Sequence, residues 1–311
     1  MKSYSHSPTI GLLTCLLTWA IAAGLAGMAA AAEGGPRNWS NTPPWPQRPD
    51  GPQHRTFHSE LVKTDIGYTV WLPGEYNANP DARFPTIYSL HGIGGNEVDG
   101  AMPFSRDLRR AIDAGKCPPA IFIMVNGYRD SFYVDSFDKS VPMESIIIRE
   151  LIPHIDATHR TIAHRGGRGI VGFSMGGYGA MRLGLAHPEI FGCIVSLAGA
   201  FIGEDTARAR GQAAFGGDME YFRTCDPTTI ARANAEKVRG RMRILIACGD
   251  RDNLLPRNRQ LVALLSSLKI EHTFVTVPEV GHDLLQMYGA LEGRTWQFFG
   301  EAFRAPPDAA P

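Results

Sequence analysis

Hydrophobic residues along most of this chain occur in short runs that glycine or proline interrupts. Two runs near the start alternate between apolar and polar side chains, at 55–63 and 67–73. The later runs are continuously apolar, and they lie at 85–92, 120–127, 168–174, 193–199, 243–250 and 272–279. Alternation is typical of antiparallel strands, whereas continuous apolar runs are typical of strands covered on both faces. We therefore predict eight strands, of which the first two enter the sheet antiparallel.

Helix-length segments separate the apolar runs. They cover residues 104–115, 141–158, 175–187, 254–268 and 283–303. Alternation of strand and helix predicts an α/β fold with a mostly parallel central sheet and helices on both faces. Ligand sites in such sheets lie at the carboxyl ends of the strands. Residues 200–240 show little strand character, and we expect them to form an insertion over that edge.

The first 54 residues differ from the rest of the chain. Residues 1–32 combine Lys2 and His6, an apolar stretch and an alanine-rich end, which is typical of a secretory signal peptide. A membrane anchor is the alternative, but the stretch is only mildly apolar and nothing basic follows it as a stop signal. Residues 33–54 hold six prolines and no apolar period, which predicts an extended N-terminal tether or a strap over the surface. The folded domain then spans 55–311, and we expect an extracellular or periplasmic protein without stable membrane association.

Charge and cysteine content limit the classes of protein to which this chain can belong. The 311 residues include 31 basic and 31 acidic side chains with no basic stripe, so nucleic-acid binding has no electrostatic support. Beyond the leader, Cys117, Cys193, Cys225 and Cys248 permit two disulfides. Cys193 and Cys248 lie in strand-like apolar runs, where free buried thiols are common. We expect at most one disulfide, and the sequence does not show which two cysteines form it.

A candidate nucleophile lies where a predicted strand meets a helix. The motif Gly172-Phe173-Ser174-Met175-Gly176 follows the apolar run 168–173 and opens the helical segment 175–187. A serine on so sharp a turn adopts a strained backbone, and only very small residues fit two positions away on either side. Many glycine-rich turns are structural, but this strand–turn–helix context predicts that Ser174 is the nucleophile.

A serine hydroxyl needs a base, and His282 is the candidate. It follows the run 272–279 and precedes the last helical segment, so a loop holds it near the sheet edge. His154, His159 and His164 are spaced by five and share no helix face, so they suggest neither a base nor a metal cluster.

The base in turn needs a carboxylate, and two are present directly after the apolar residues 243–248, in Cys248-Gly249-Asp250-Arg251-Asp252. Asp250 and Asp252 are two residues apart, so strand alternation does not separate them. Either gives the order serine, acid, histidine, which is that of α/β-hydrolases. The acid that is not used is expected to be a solvated turn residue, with Arg251 as an ion-pair partner.

Backbone N–H groups must bind the oxyanion of the tetrahedral intermediate. One donor is expected from Met175, directly after the nucleophile at a helix N-terminus. The other is expected from the glycine-rich turn His91-Gly92-Ile93-Gly94-Gly95, with Ile93 preferred and Gly92 second. His91 is expected to orient this loop rather than to act as a second base.

Together, SLHGIGGNE, GFSMGGYGAMRLGLAHPEIFG, ACGDRDNLLPRNR and VPEVGHDLLQMY resemble the esterase D family of α/β-hydrolases. That family includes feruloyl esterases, S-formylglutathione hydrolases and mycolyltransferases of antigen 85 type. The resemblance covers roughly 55–303 and implies Ser174, Asp252 and His282 as the triad, with Ile93 and Met175 as oxyanion donors. Asp252 is assigned by the C-G-x-x-D pattern of the feruloyl-esterase branch. Asp250 departs from that pattern, since its position is often threonine or another small polar residue.

The resemblance implies a secreted serine esterase that uses no metal and no cofactor. Export favours a feruloyl or acetyl esterase whose substrate is a small ester or one linked to plant polysaccharide. The alternatives are an acyltransferase of mycolyltransferase type, a thioester hydrolase, and a binding protein on a hydrolase fold. Substrate contacts are expected from 96–106, 127–140 and 200–240, whose aromatic residues fit either a phenolic acid or loop packing. Neither the acyl group nor the oligomeric state follows from the sequence.

Overall fold

The computed structural model describes residues 38–304, which form one eight-stranded sheet with helices on both faces. Its strands are β1 Gln53–Ser59, β2 Thr64–Trp71, β3 Thr86–Leu90, β4 Ile121–Val125, β5 Arg168–Phe173, β6 Cys193–Leu197, β7 Arg243–Gly249 and β8 Thr273–Val277. Their spatial order is β1-β2-β4-β3-β5-β6-β7-β8. The strands β3 to β8 run parallel, while β2 pairs antiparallel with both β1 and β4. The predicted α/β fold and its antiparallel entry are confirmed.

Helices fill both faces of the sheet. Those before β6 are α1 Glu75–Ala78, α2 Ala101–Asp113, α3 Met143–Ser145, a π-helical stretch Ile146–Leu151, α4 Ile152–Thr158, a 3₁₀ turn Arg165–Gly167 and α5 Met175–Ala186. Those after β6 are α6 Glu204–Arg210, α7 Gln212–Phe215, α8 Met219–Cys225, α9 Pro227–Val238, α10 Leu255–Ser267, α11 Leu284–Ala290 and α12 Arg294–Arg304. The segment 200–240, predicted to lack strands, therefore folds as four helices between β6 and β7.

Strand β4 shows how the sheet separates two hydrophobic cores. Ile121 and Ile123 belong to the core on one face, and Phe122 and Met124 belong to the core on the other. All four are buried, since successive side chains of a strand point to opposite faces. This double burial is the reason for the continuous apolar runs in the sequence.

The prediction of one continuous helix over 283–303 is wrong, because the structure has two helices there. The chain breaks between α11 and α12, where Glu292 and Gly293 both take positive φ angles, 49° and 79°. Positive φ at two successive residues ends an α-helix and redirects the chain. The apolar spacing continues across the break, so the sequence pattern does not reveal it.

The four cysteines of the described chain are free and buried. Burial raises the pKa of both the Cys117 and the Cys248 thiol to about 12, so each stays protonated and unreactive near neutral pH. The predicted leader lies outside the described residues. Within 38–304 we find no helix with the length and apolar character that crossing a bilayer requires.

Candidate active site

The turn between β5 and α5 presents Ser174. Its φ and ψ angles are 57° and −117°, a conformation that side-chain-bearing residues rarely adopt. A Cβ on Gly172 would lie 2.1 Å from the carbonyl oxygen of Gly176, and one on Gly176 would lie 2.0 Å from that of Leu90. Only glycine fits at these two positions, as the sequence predicted. The strain therefore comes from the close packing of β3, β5 and α5 around the serine.

His282 lies on the loop between β8 and α11. Its Nε2 is 2.9 Å from Ser174 Oγ, within hydrogen-bonding distance. The imidazole lies against the Phe173 ring, with the two ring centroids 4.7 Å apart. Phe173 directly precedes Ser174 in the chain. The same turn therefore positions both the nucleophile and the aromatic ring that packs against His282.

Asp252 completes a line of hydrogen bonds. Its Oδ2 is 2.7 Å from His282 Nδ1, and its side chain is only 1% exposed. The second carboxylate oxygen accepts the Leu254 N–H at 2.8 Å. When Nδ1–H donates to Asp252, Nε2 presents a lone pair to Ser174 Oγ, which is the arrangement a general base needs.

Asp250, the other candidate acid, lies elsewhere. Its side chain is exposed, and its backbone N–H donates to Val277 O on β8 at 2.9 Å. Asp250 is thus a solvated turn residue, as expected for the acid that is not used. The ion pair of Arg251 is with Glu279 and not with Asp250.

Two groups of backbone donors lie beside the serine. Met175 is the first residue of α5, where the N–H has no acceptor within the helix. On the other side, a Cβ on Gly92 would lie only 3.5 Å from Ser174 Cβ, so the turn at 91–95 contacts the nucleophile. Gly94 and Gly95 donate to Arg129 O and Gly92 O. Among the described residues, the N–H groups of Gly92 and Ile93 have no acceptor, so both predicted donors of this turn are available.

His91 holds this turn in place. Its Nδ1 lies 2.8 Å from Gly92 O, while Nε2 accepts the Gly127 N–H at 2.9 Å. Tyr133 OH donates to the His91 carbonyl oxygen at 3.0 Å. Desolvation lowers the pKa of His91, which favours the neutral ring that this hydrogen-bond pattern requires. The arrangement matches the orienting role expected for His91.

A cavity of about 150 Å³ lies at the carboxyl ends of β3 to β6, beside the turn 91–95. Phe104, Phe173, Leu284 and Tyr288 supply most of its apolar lining. Leu284 and Tyr288 were missed by the sequence analysis, although their spacing of four places both on one face of α11. Within 38–304, no three histidine, cysteine or acidic side chains are grouped closely enough to hold a metal ion.

Most of the aromatic residues expected near the substrate are core residues. Phe132, Tyr133, Phe215 and Phe222 are at most 5% exposed. Phe132 packs against Tyr178 and Phe215 at centroid distances of 5.4 and 5.5 Å. Their packing holds the segments 127–140 and 200–240 together. These four aromatic residues therefore fit the loop-packing alternative better than contact with a phenolic acid.

Comparison with known proteins identifies what this chain is similar to. The Esterase family model matches residues 59–303. An endo-1,4-beta-xylanase/feruloyl esterase of Xylanibacter ruminicola is 30% identical over 221 residues, covering 68% of this chain and 26% of the relative. An acetyl esterase of Caldicellulosiruptor saccharolyticus is 27% identical over 254 residues, covering 73% of this chain and 90% of the relative.

The fold is also shared with solved structures. A ferulic acid esterase superposes with a TM-score of 0.69 at 22% identity, covering 81% of this chain and 98% of that structure. This chain spans about a quarter of the length, 26% to 27%, of the first curated relatives that it matches.

Proposed function

The chain belongs to the Esterase family of α/β-hydrolases, of the esterase D and feruloyl esterase type, and from that premise we propose that it hydrolyses carboxylic esters through Ser174. The observation that supports this most directly is the line of two hydrogen bonds, 2.9 Å and 2.7 Å long, that joins Ser174 through His282 to Asp252. A buried carboxylate, an imidazole and a hydroxyl in this order form the arrangement that activates a serine.

In the proposed reaction, Ser174 Oγ attacks the ester carbonyl carbon while its proton passes to His282 Nε2. Asp252 stabilises the imidazolium, and the N–H groups of Met175 and Ile93 bind the oxyanion. Collapse of the intermediate expels the alcohol, which takes the proton from His282 and leaves an acyl group on Ser174. Water that His282 deprotonates then attacks the acyl-enzyme and releases the acid.

We propose a feruloyl or acetyl group on plant polysaccharide as the natural substrate. The support is the similarity to a relative named as a xylanase and feruloyl esterase and to one named as an acetyl esterase.

A hydrolysis panel tests this proposal. We expect the protein to cleave nitrophenyl acetate and to prefer methyl ferulate or acetylated xylan over S-formylglutathione by at least about tenfold in kcat/KM. Product analysis with added sugar acceptors separates hydrolysis from acyl transfer. A preference for the thioester, or a sugar acceptor that outcompetes water, would replace the polysaccharide esterase with one of the alternatives. No cleavage of any of these substrates would refute esterase function.

We further propose that residues 1–32 direct export and are removed, leaving 33–54 as a tether ahead of the catalytic domain. The support is the charged, apolar and alanine-rich order of the leader. Intact-mass spectrometry of protein collected outside the cell is expected to show a chain that begins at or near Glu33. Full-length chain retained in membranes would instead favour an anchor.

A further inference from the structure

Part of the tether is fixed against the loops of the active site. We call residues 38–41 the strap. The Trp39 ring lies over Tyr128 with centroids 4.4 Å apart, and Trp39 O accepts the Gly67 N–H at 2.7 Å. Asn38 O accepts a hydrogen bond of 3.0 Å from the buried Asn126 side chain. The strap thus contacts both β2 and the loop that follows β4.

A buried carboxylate joins the strap to the turn that holds Ile93. Glu97 is 0% exposed, and its two oxygens accept the Asn41 N–H at 2.6 Å and Asn41 Nδ2 at 2.8 Å. His54 Nε2 on β1 lies 3.1 Å from the same carboxylate. A Cβ on Gly67 would lie 2.2 Å from Glu97 Oε1, so the carboxylate packs directly on β2. Removing a carboxylate from water is expensive, and these donors offset that loss.

The loop that contains Glu97 is fixed on both sides of Ile93. On the N-terminal side, His91 is bonded to Gly127 and Tyr133. On the C-terminal side, the Gly94 N–H donates to Arg129 O at 2.8 Å, next to the Tyr128 ring that Trp39 covers. Glu97 then holds the loop to the strap. The Ile93 N–H lies between these attachments, in the turn beside Ser174, and is the donor that we assign to the oxyanion.

From this geometry we propose that Glu97 is a positioning residue, which together with Asn41 of the strap holds the Ile93 N–H where the oxyanion forms. The inference rests on the proposed function, because it assigns a role in the same reaction. A displacement of about 1 Å at such a group can lower turnover by about 10²-fold. Losing an oxyanion donor outright lowers turnover by about 10²- to 10³-fold. The Ile93 N–H is proposed to bind the substrate oxygen most strongly in the transition state. Displacing it should therefore lower kcat and leave KM nearly unchanged.

Glu97→Leu tests this role with a small change in volume. The leucine side chain has no acceptor, so the Asn41 N–H and Nδ2 both lose their hydrogen bonds to this position. We expect kcat to fall about 10- to 100-fold, with KM changed by less than about twofold. Affinity for a trifluoromethyl ketone, whose serine adduct carries an oxyanion, should fall by the same factor as kcat. A loss of stability alone would not lower both in parallel.

Two further variants keep the test decisive. Asn41→Ala removes only the Nδ2 donor and should give a smaller loss of kcat than Glu97→Leu. Glu97→Gln is the conservative variant, because its amide oxygen still accepts the Asn41 N–H and its NH₂ group donates to Asn41 Oδ1 once the Asn41 amide turns over. We expect it to keep most of the kcat and inhibitor affinity that Glu97→Leu loses.

Glu150→Leu is the matched control. Glu150 accepts hydrogen bonds from Ser59 and from the Leu61 N–H, so it is also a carboxylate that holds a turn, the one between β1 and β2. Its contacts do not involve the turn 91–95, and kcat should stay within about twofold of the parent. If Glu97→Leu keeps its kcat, or loses kcat without losing inhibitor affinity, Glu97 does not position the oxyanion donor. If Glu97→Leu does not fold, unchanged kcat in Asn41→Ala overturns the inference. Persistent hydrolysis by Ser174→Ala would instead refute the proposed function.

Discussion

Ser174→Ala is expected to lower ester turnover by a factor of about 10⁶ while the protein remains folded. The substitution removes the Oγ that lies 2.9 Å from His282 Nε2 and leaves the imidazole and its 2.7 Å contact with Asp252 in place. Without a nucleophile, no acyl-enzyme forms, and the base and oxyanion donors alone retain only a small part of catalysis. Initial rates on nitrophenyl acetate and circular dichroism measure the two halves of this expectation.

Ser105→Ala is a suitable control for loss of a buried serine. Ser105 is 3% exposed, and its hydroxyl donates to Ala101 O within α2. This variant should keep its turnover, and a fluorophosphonate probe should label it as it labels the parent. The same probe should leave Ser174→Ala unlabelled. Hydrolysis by Ser174→Ala within tenfold of the parent would exclude the serine mechanism.

The sheet could be predicted from the sequence because each strand is a discrete apolar run. In a parallel sheet that is covered on both faces, most residues of a strand are apolar, as all five of Ile121–Val125 are, which leaves a clear pattern. The break between α11 and α12 leaves no such pattern, since it depends on the φ angles of Glu292 and Gly293. Local backbone conformation of this kind is not encoded in hydrophobic periodicity.

Within the candidate site, predictability followed the presence of a local sequence motif. Ser174 is embedded in its own strand, turn and helix, so the surrounding glycines reveal it. The contact between Asn41 and Glu97 spans 56 residues, and neither has a local motif. Asp250 and Asp252 could not be distinguished by alternation, and only their burial separates them, because the loop after β7 turns one toward His282 and the other into solvent.

We expect Asp252→Asn to lower turnover by about 10⁴-fold without unfolding the protein. Asp252 Oδ1 accepts the Leu254 N–H at 2.8 Å, so the oxygen of an asparagine would keep that bond and direct its NH₂ group toward His282. The imidazole would then have to accept at Nδ1 and carry its proton on Nε2, facing Ser174. A histidine in that tautomer cannot take the serine proton, and its positive charge would also lack a partner. Measurements of kcat and circular dichroism test both parts.

Asp250→Asn separates this role from a general effect of removing a carboxylate nearby. The Asp250 side chain is exposed, and its bond to Val277 O uses the backbone, which the substitution keeps. We expect this variant to retain most of its turnover and to change in stability by no more than about 0.5 kcal/mol. The reverse ranking would move the acid to Asp250. If both variants stay active, the carboxylate comes from another residue, and Asp283 is the next to test. Asp283 already caps α11 by accepting the Gln286 N–H with one carboxylate oxygen at 2.9 Å.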